Sequence, residues 1–220
     1  MKIQIVCRDI EEAKFCCENG VSSIGLLVGQ KHFSKEFISK EQAREIVKII
    51  PPFCTATMIT HLESADEIIK IIKFAGFTAV QLHSYIVESE VKKIKDALPY
   101  VKIIRLVHID ESGKILNKLD KNFIGDAIFT DSINKKENKF GGTGKVHNYK
   151  TDAEIVKNSK LPVIIAGGLN SQNVKDIILK VKPWGVDSNS GCATNYKLDK
   201  EKTIKFIKAV QTAEQILIKN

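Results

Sequence analysis

Short apolar runs rich in β-branched residues alternate with amphipathic helical segments from one end of this chain to the other, and eight such runs can be counted. They lie at about Ile3–Cys7, Ser23–Val28, Cys54–Ile59, Ala79–His83, Lys102–His108, Asp126–Asp131, Val163–Ala166 and Gly185–Ser188. Runs that are apolar on both sides suit parallel strands covered by helices. Parallel neighbours need a crossover, and crossovers are right-handed. Eight strand–helix units favour closure into a (β/α)₈ TIM barrel over an open sheet. An open doubly wound sheet would carry a Gly-x-Gly-x-x-Gly turn after an early strand, where Val28-Gly29-Gln30 offers a lone glycine. With 220 residues and 43% apolar content, the expectation is one α/β domain over residues 1–220 with a substantial core.

The helices are marked by period and by caps. Ser39 and Gln42 form a capping box ahead of Ala43, Ile46, Val47 and Ile50, which share one helical face. Thr60 and Glu63 predict a second box before Ala65, Ile68, Ile69 and Ile72. Val174, Ile177, Ile178 and Val181 repeat the stripe after Asn170-Ser171, and Phe206, Val210, Ala213 and Leu217 predict a final helix. Trp184, just before the eighth run, is expected to cover the bottom of the barrel.

The net charge of +8 comes from 34 Lys and Arg against 26 Asp and Glu, spread through nearly every predicted helix. Dispersed lysine is not a nucleic-acid footprint, although a positive field draws in phosphorylated molecules. Cys7, Cys16, Cys17, Cys54 and Cys192 are odd in number and lack metal-ligand spacing, so the expectation is free thiols in a reducing cytoplasm. Cys16, Cys17, Cys54 and Cys192 read as packing positions. His32, His61, His108 and His147 share no helical face, and no metal or cofactor is expected. The first residues are too short an apolar run for a signal peptide, and no run approaches membrane-spanning length. The expectation is therefore a cytoplasmic monomer or homodimer without membrane or nucleic-acid partners.

In such barrels the chemistry stands where strands end and loops begin. That filter selects Cys7, His83, Arg105 or His108, Asp131, Gly167-Gly168 and Ser190-Gly191, with Arg8 beside Cys7. Gly167-Gly168 ends an Ile-Ile-Ala strand and precedes a helix start, where backbone N–H groups can meet an anion. Ser190-Gly191 follows the eighth strand, and the two sites together make the usual phosphate cradle of a barrel. Gly141-Gly142-Thr143-Gly144 adds a further glycine-rich loop. An acid at Asp131 and a thiol at Cys7 would suit a proton shuffle on a phosphorylated sugar. His83 reads equally as a substrate hydrogen-bond donor or as a structural tie between loops.

Taken in order, these residues resemble phosphoribosylanthranilate isomerase, a ribulose-phosphate-binding (β/α)₈ enzyme of tryptophan biosynthesis. The matching segments are Lys2 through Cys7, Val80-Gln81-Leu82-His83, Thr130-Asp131-Ser132, Gly141 through Lys145, Ala166 through Asn170, and Gly185-Val186-Asp187 through Ser190-Gly191. The resemblance implies an Amadori rearrangement of a phosphoribosyl arylamine, with Asp131 protonating the furanose oxygen and Cys7 taking the proton from C2. It also implies that Gly142, Thr143, Gly144, Gly167, Gly168, Asp187, Ser190 and Gly191 bind the small phosphorylated substrate, with His83 at its other end; Arg8 is a substrate-binding candidate by its place beside Cys7.

Departures cluster on the aglycone side. Where the family carries the arginine that pairs with the anthranilate carboxylate, this chain has Glu36; where the family has glycine after the cysteine, it has Arg8. Ser84 replaces a glycine after His83, and His147-Asn148-Tyr149 replaces Phe-Asp-Trp. Carboxylate facing carboxylate removes a charge-assisted pair and adds repulsion. Two readings compete with the ordinary reaction, in which Arg8 substitutes for the missing arginine. One is a paralogue with a different group at C1. The other is a non-catalytic phospholigand-binding barrel.

Overall fold

The computed structural model describes residues 1–31, 35–117, 123–134, 139–140 and 149–219. The chain divides into two compact units, one of Met1–Ile5, Val107–Lys118 and Ile128–Asn220, the other of Val6–Leu106 and Leu119–Ala127.

The unit beginning at Val6 alternates strand and helix. In chain order the chain's first elements are β1 (Lys2–Val6), which belongs to the other unit up to Ile5, then α1 (Ile10–Glu18), β2 (Ser23–Leu27), α2 (Lys40–Ile49), β3 (Thr55–Thr60), α3 (Ala65–Ala75), β4 (Ala79–Leu82), α4 (Glu88–Ala97) and β5 (Lys102–Ile109), whose residues from Val107 on belong to the other unit. Strands β2 to β5 pair in parallel with their successors, Ser23 opposite Thr55, Thr57 opposite Ala79, and Ala79 opposite Lys102. Ile24, Leu26, Met58, Val80 and Leu82 of these strands are buried, as are Ala43, Ile46, Ile68 and Ile72 of the helices. The helical period turns one apolar stripe inward, as the sequence predicts.

Ser39 and Gln42 form the expected reciprocal capping box on α2. The second box does not form. Thr60 stays in β3 and donates its hydroxyl to the Gly29 carbonyl at 3.1 Å, so α3 starts later, at Ala65 behind Ser64. The helix-start N–H of Ala65 donates instead to Glu90 at 2.8 Å. A β-branched residue with a carbonyl in reach gains more from extending the strand than from capping a helix.

The other unit continues with β6 (Ala127–Asn134), β7 (Lys139–Phe140), α5 (Lys150–Asn158), β8 (Val163–Ile165), α6 (Val174–Val181), β9 (Gly185–Ser188), β10 (Ala193–Thr194), β11 (Lys197–Leu198) and α7 (Lys200–Lys219). Here the first strand pairs in parallel with the last long one, Lys2 opposite Gly185 and Gln4 opposite Asp187. β9 pairs with β8, and β8 with β6, again in parallel. Between β5 and β6 the described residues hold a turn and no helix: Asp110 accepts from the Ser112 amide, the Ser112 hydroxyl and the Lys114 amide at 3.0, 2.6 and 3.0 Å. Trp184 stands at the start of β9, half-exposed, where its backbone links Lys2 and Val163. Among the described residues no helix is long and apolar enough to cross a membrane.

Candidate active site

The register of the sheet decides which side chains meet. Thr130, Ile165 and Val186 lie on one rung across β6, β8 and β9. The Thr130 hydroxyl donates to Asp152 of α5 at 2.5 Å, so this rung faces the helices. Strand alternation turns the next rung to the opposite face. That rung holds Asp131, Ala166, Asp187 and Gln4, with Gln4 directly opposite Asp187. Two carboxyls thus share one layer, separated by an alanine whose methyl leaves room between them.

Asp131 is 5% exposed and Asp187 7%. Asp131 accepts the Ser132 amide at 2.7 Å. Burial pushes its carboxyl up to about 8, and the charges of Asp187 and Asp152 add to the rise. Burial also pushes Asp187 up to about 7, opposed by the Gln4 side chain, which hydrogen-bonds it. One Asp187 oxygen is buried with no hydrogen-bond partner among the described residues. Such an atom is costly in a finished core and useful where a hydroxyl is to be received.

The two strand-end glycine segments border this rung. Gly167 and Gly168 follow Ala166 with φ of 86° and 72°, a region that L residues seldom enter. The turn is held from three sides: Tyr149 donates to the Gly167 carbonyl at 2.7 Å, the Asn173 side-chain amide donates to the Gly168 carbonyl at 2.9 Å, and the Asn170 backbone N–H donates to the Asn173 side-chain oxygen at 2.9 Å. Ser190 and Gly191 open a single 3-10 turn, Ser190–Cys192, directly after β9. A Cβ on Gly191 would stand 2.0 Å from the Leu169 carbonyl oxygen, so the two glycine segments touch through backbone. Gly142, Thr143 and Gly144 lie outside the described residues.

In the other unit, Cys7 follows β1 and is fully buried, its Sγ 3.6 Å from that of Cys16 in α1. The bond to Cys16 and burial push the Cys7 thiol well up, with Arg8 opposing, so it is held as a thiol. Arg8 carries the decisive local change. Its guanidinium lies 3.4 Å from Glu36 and 3.8 Å from Glu12, and its backbone amide donates to Glu12 at 2.7 Å. The two departures from the family pattern therefore meet as an ion pair. His83 is half-buried beside Gln81 at 3.2 Å, with its ring 5.5 Å from that of His61, which stands edge-on to Phe37. Ser84 donates to the Leu62 carbonyl at 3.1 Å. Among the described residues, no three His, Cys, Asp or Glu side chains are grouped so as to hold a metal ion.

Sequence reasoning missed Gln4 and Asp152, and noted Tyr149 only as a departure from the family pattern. Gln4 is a polar residue inside an apolar strand, which is a usable signal. Asp152 gives none, because its partner is distant in the chain.

A family model for N-(5'-phosphoribosyl)anthranilate isomerase matches residues 4–209. The chain belongs to the phosphoribosylanthranilate isomerase family. Within it, the chain is 36% identical over 199 residues to N-(5'-phosphoribosyl)anthranilate isomerase 2 of Methanosarcina mazei, covering 90% of this chain and 88% of that one. It is 32% identical to the isomerase of Methanocella arvoryzae, covering 93% and 94%. The crystal structure of phosphoribosylanthranilate isomerase from Thermotoga maritima superposes with a TM-score of 0.83 at 26% identity, over 96% of this chain and 99% of that one. Another structure of a phosphoribosylanthranilate isomerase, in complex with reduced 1-(o-carboxyphenylamino)-1-deoxyribulose 5-phosphate, matches with a TM-score of 0.74 at 25% identity over 96% and 99%. The fold is the (β/α)₈ barrel expected from the strand–helix alternation.

Proposed function

We propose that this chain isomerises N-(5'-phosphoribosyl)anthranilate to the 1-(o-carboxyphenylamino)-1-deoxyribulose 5-phosphate skeleton, acting as one domain in the cytoplasm. The observation that carries the reading is Asp131, a carboxyl within β6 that is pushed up to about 8 and so still protonated at neutral pH. A carboxylic acid in that state is what ring opening needs, because the pKa of a general acid is best placed near the working pH.

Asp131 gives its proton to the furanose oxygen as the C1–O bond breaks, and the arylamine nitrogen supplies the electron pair that forms the C1 iminium. Cys7 then takes the C2 proton, leaving an enolamine that becomes the ketone as C1 is protonated. The thiol must first release its own proton. Arg8 favours the thiolate, and the iminium cation formed in the preceding step adds a second positive charge that does so. C1 is reduced as C2 is oxidised within the one molecule, so no external oxidant or reductant is needed, and apart from opening of the C1–O bond the steps are proton transfers.

The phosphate is held by the amides of Gly167-Gly168 and Ser190-Gly191 with the loop of Gly142, Thr143 and Gly144. Binding energy from that end fixes the reacting carbons. Asp187 receives a sugar hydroxyl, and Arg8, oriented by Glu36, takes the anthranilate carboxylate, with His83 lining the same end. The test is a fluorescence assay with phosphoribosylanthranilate. Turnover that Cys7→Ser and Asp131→Asn each reduce by 100-fold or more supports the reading, on the order expected when a general acid or base is removed. An intact protein that leaves the substrate unchanged at high enzyme concentration refutes it.

A further inference from the structure

Four of the five cysteines stand in the unit beginning at Val6, and they form two close pairs. The sulfurs of Cys7 and Cys16 lie 3.6 Å apart, and those of Cys17 and Cys54 lie 3.7 Å apart. Adjacent residues on a helix point about 100° away from each other, so Cys16 turns inward to Cys7 while Cys17 turns to Cys54. Separation does not distinguish the pairs, but exposure does. Cys7 and Cys16 are fully buried, whereas Cys17 and Cys54 are each only half-buried. Phe53, next to Cys54, is 100% exposed, so this segment lies at the surface. A reagent arriving from water therefore meets the second pair first.

The backbone around that pair is tied together. Val21, just beyond α1, donates its amide to the Cys16 carbonyl at 3.1 Å, and Thr55 at the head of β3 donates to the Ser22 carbonyl at 3.0 Å. Cys54 is fixed further by its amide on the Pro51 carbonyl at 3.0 Å and by its thiol on the Val21 carbonyl at 3.3 Å. The two side chains thus meet from backbones that other bonds already hold. A disulfide needs its sulfurs at about 2 Å, and side-chain rotation can cover the remaining approach of about 1.7 Å.

We propose that Cys17 and Cys54 are a modification site: a dithiol that a small-molecule disulfide of the oxidised-glutathione class converts into a reversible cross-link between α1 and the start of β3. Cys17 attacks first. Burial pushes the Cys54 thiol up to about 12; burial raises Cys17 as well, but its bond with Cys54 opposes the rise. The Cys17 thiolate displaces one thiolate from the small disulfide and leaves a mixed disulfide. The Cys54 sulfur then attacks the Cys17 sulfur and expels the second thiolate, and the protons given up by the two cysteines end on the two departing thiols. The cysteine pair loses two electrons and the small disulfide gains them. The bond sits where strands begin, since Cys54 precedes β3 and Cys17 lies in the last turn of α1, whereas Cys7 and His83 follow strand ends. It closes a loop that contains β2 and α2, and it stabilises by restricting the unfolded chain.

The experiment incubates the reduced full chain with oxidised glutathione, counts free thiols after unfolding, and maps alkylated tryptic peptides by mass spectrometry. The expected result is a fall from five thiols to three, with peptide 15–31 joined to peptide 49–70 and the bridge assigned to Cys17 by fragmentation between it and Cys16. Dithiothreitol should restore all five. The cross-linked protein should melt about 5–10 °C higher and turn over phosphoribosylanthranilate within about twofold of the reduced form. Cys17→Ser and Cys54→Ser should each form no internal bridge and show no melting shift, and either one suffices if the other fails to fold. Five thiols remaining in the wild type, a mixed disulfide that does not close, or a bridge between Cys7 and Cys16 with turnover lost overturns the proposal. Thiol count and peptide map report the bridge whatever the substrate proves to be.

Discussion

Holding an acid in its protonated form costs stability, and the cost can be measured by removing it. The Asp131 carboxyl sits at about 8 in the folded protein, against an ordinary value of about 4 in an unfolded chain. A raised folded value means the native state binds this proton more tightly. The stability that follows is fully present below about pH 4 and is lost as pH rises to about 8. At pH 7 the loss spans about three units, and at about 1.4 kcal/mol per unit it reaches about 4 kcal/mol. Asn has the same shape, keeps the bond to the Ser132 amide and never ionises, so Asp131→Asn should be inactive yet harder to unfold. Part of the gain belongs to Asp187, which also titrates near pH 7, so about 2–4 kcal/mol is expected. Urea unfolding followed by far-ultraviolet circular dichroism at pH 5, 6, 7 and 8 reads it directly. The two proteins should differ least at pH 5 and diverge steadily to pH 8. A constant gap, or a variant less stable at every pH, would refute the claim that burial of this carboxyl carries the cost.

Two further outcomes follow from the geometry. Arg8→Met should raise KM by at least about tenfold, the worth of one charge-assisted bond, with a smaller change in kcat, and Glu36→Gln should raise KM in the same direction to a smaller extent by loosening the orientation of the guanidinium. Steady-state kinetics check both, and an unchanged KM in Arg8→Met would remove Arg8 from the site. Gly191→Ala must move backbone, because its Cβ would press on the Leu169 carbonyl oxygen and lie 2.7 Å from the Ser188 hydroxyl. A loss of about 1–3 kcal/mol in thermal unfolding and weaker inhibition by inorganic phosphate are expected, and a variant indistinguishable from wild type in both would contradict the close backbone approach.

The strands were readable because parallel strands need apolar residues on both faces, and few other segments of this chain have them. Boundaries moved by one or a few residues where a local donor or acceptor intervened, as at Thr60, whose hydroxyl found Gly29 and kept the strand going. The alternation also predicted a helix in each connection. Between β5 and β6 the described residues use the Asp110 turn instead, built by a single carboxylate on local amides. In the candidate site, Asp131, Gly167-Gly168 and Ser190-Gly191 stood out as polar or small residues at expected strand ends, although β6 runs past Asp131 to Asn134. Their coupling did not: Asp131 and Asp187 are 56 positions apart in sequence, and only the register of β6, β8 and β9 puts them on one rung. Glu36 in the sequence suggested a repulsive pocket, and Arg8 beside it in space turned the same residue into half of an ion pair. Compensating changes at separate positions become visible only once the chain is folded.

The lone Trp184 has a practical consequence. It is half-exposed at the foot of β9, with its backbone bonded to Lys2 on one side and Val163 on the other, so its emission must change when those strands separate. Ser190 lies six residues further on, about 20 Å away at the rise of an extended chain. The indole is thus an optical probe of the sheet at a distance from the proposed phosphate end, and the aryl ring of the substrate is a second chromophore at longer wavelength. Unfolding and turnover can be followed in the same cuvette, without a label, and inactivation by melting can be told apart from inactivation of the chemistry.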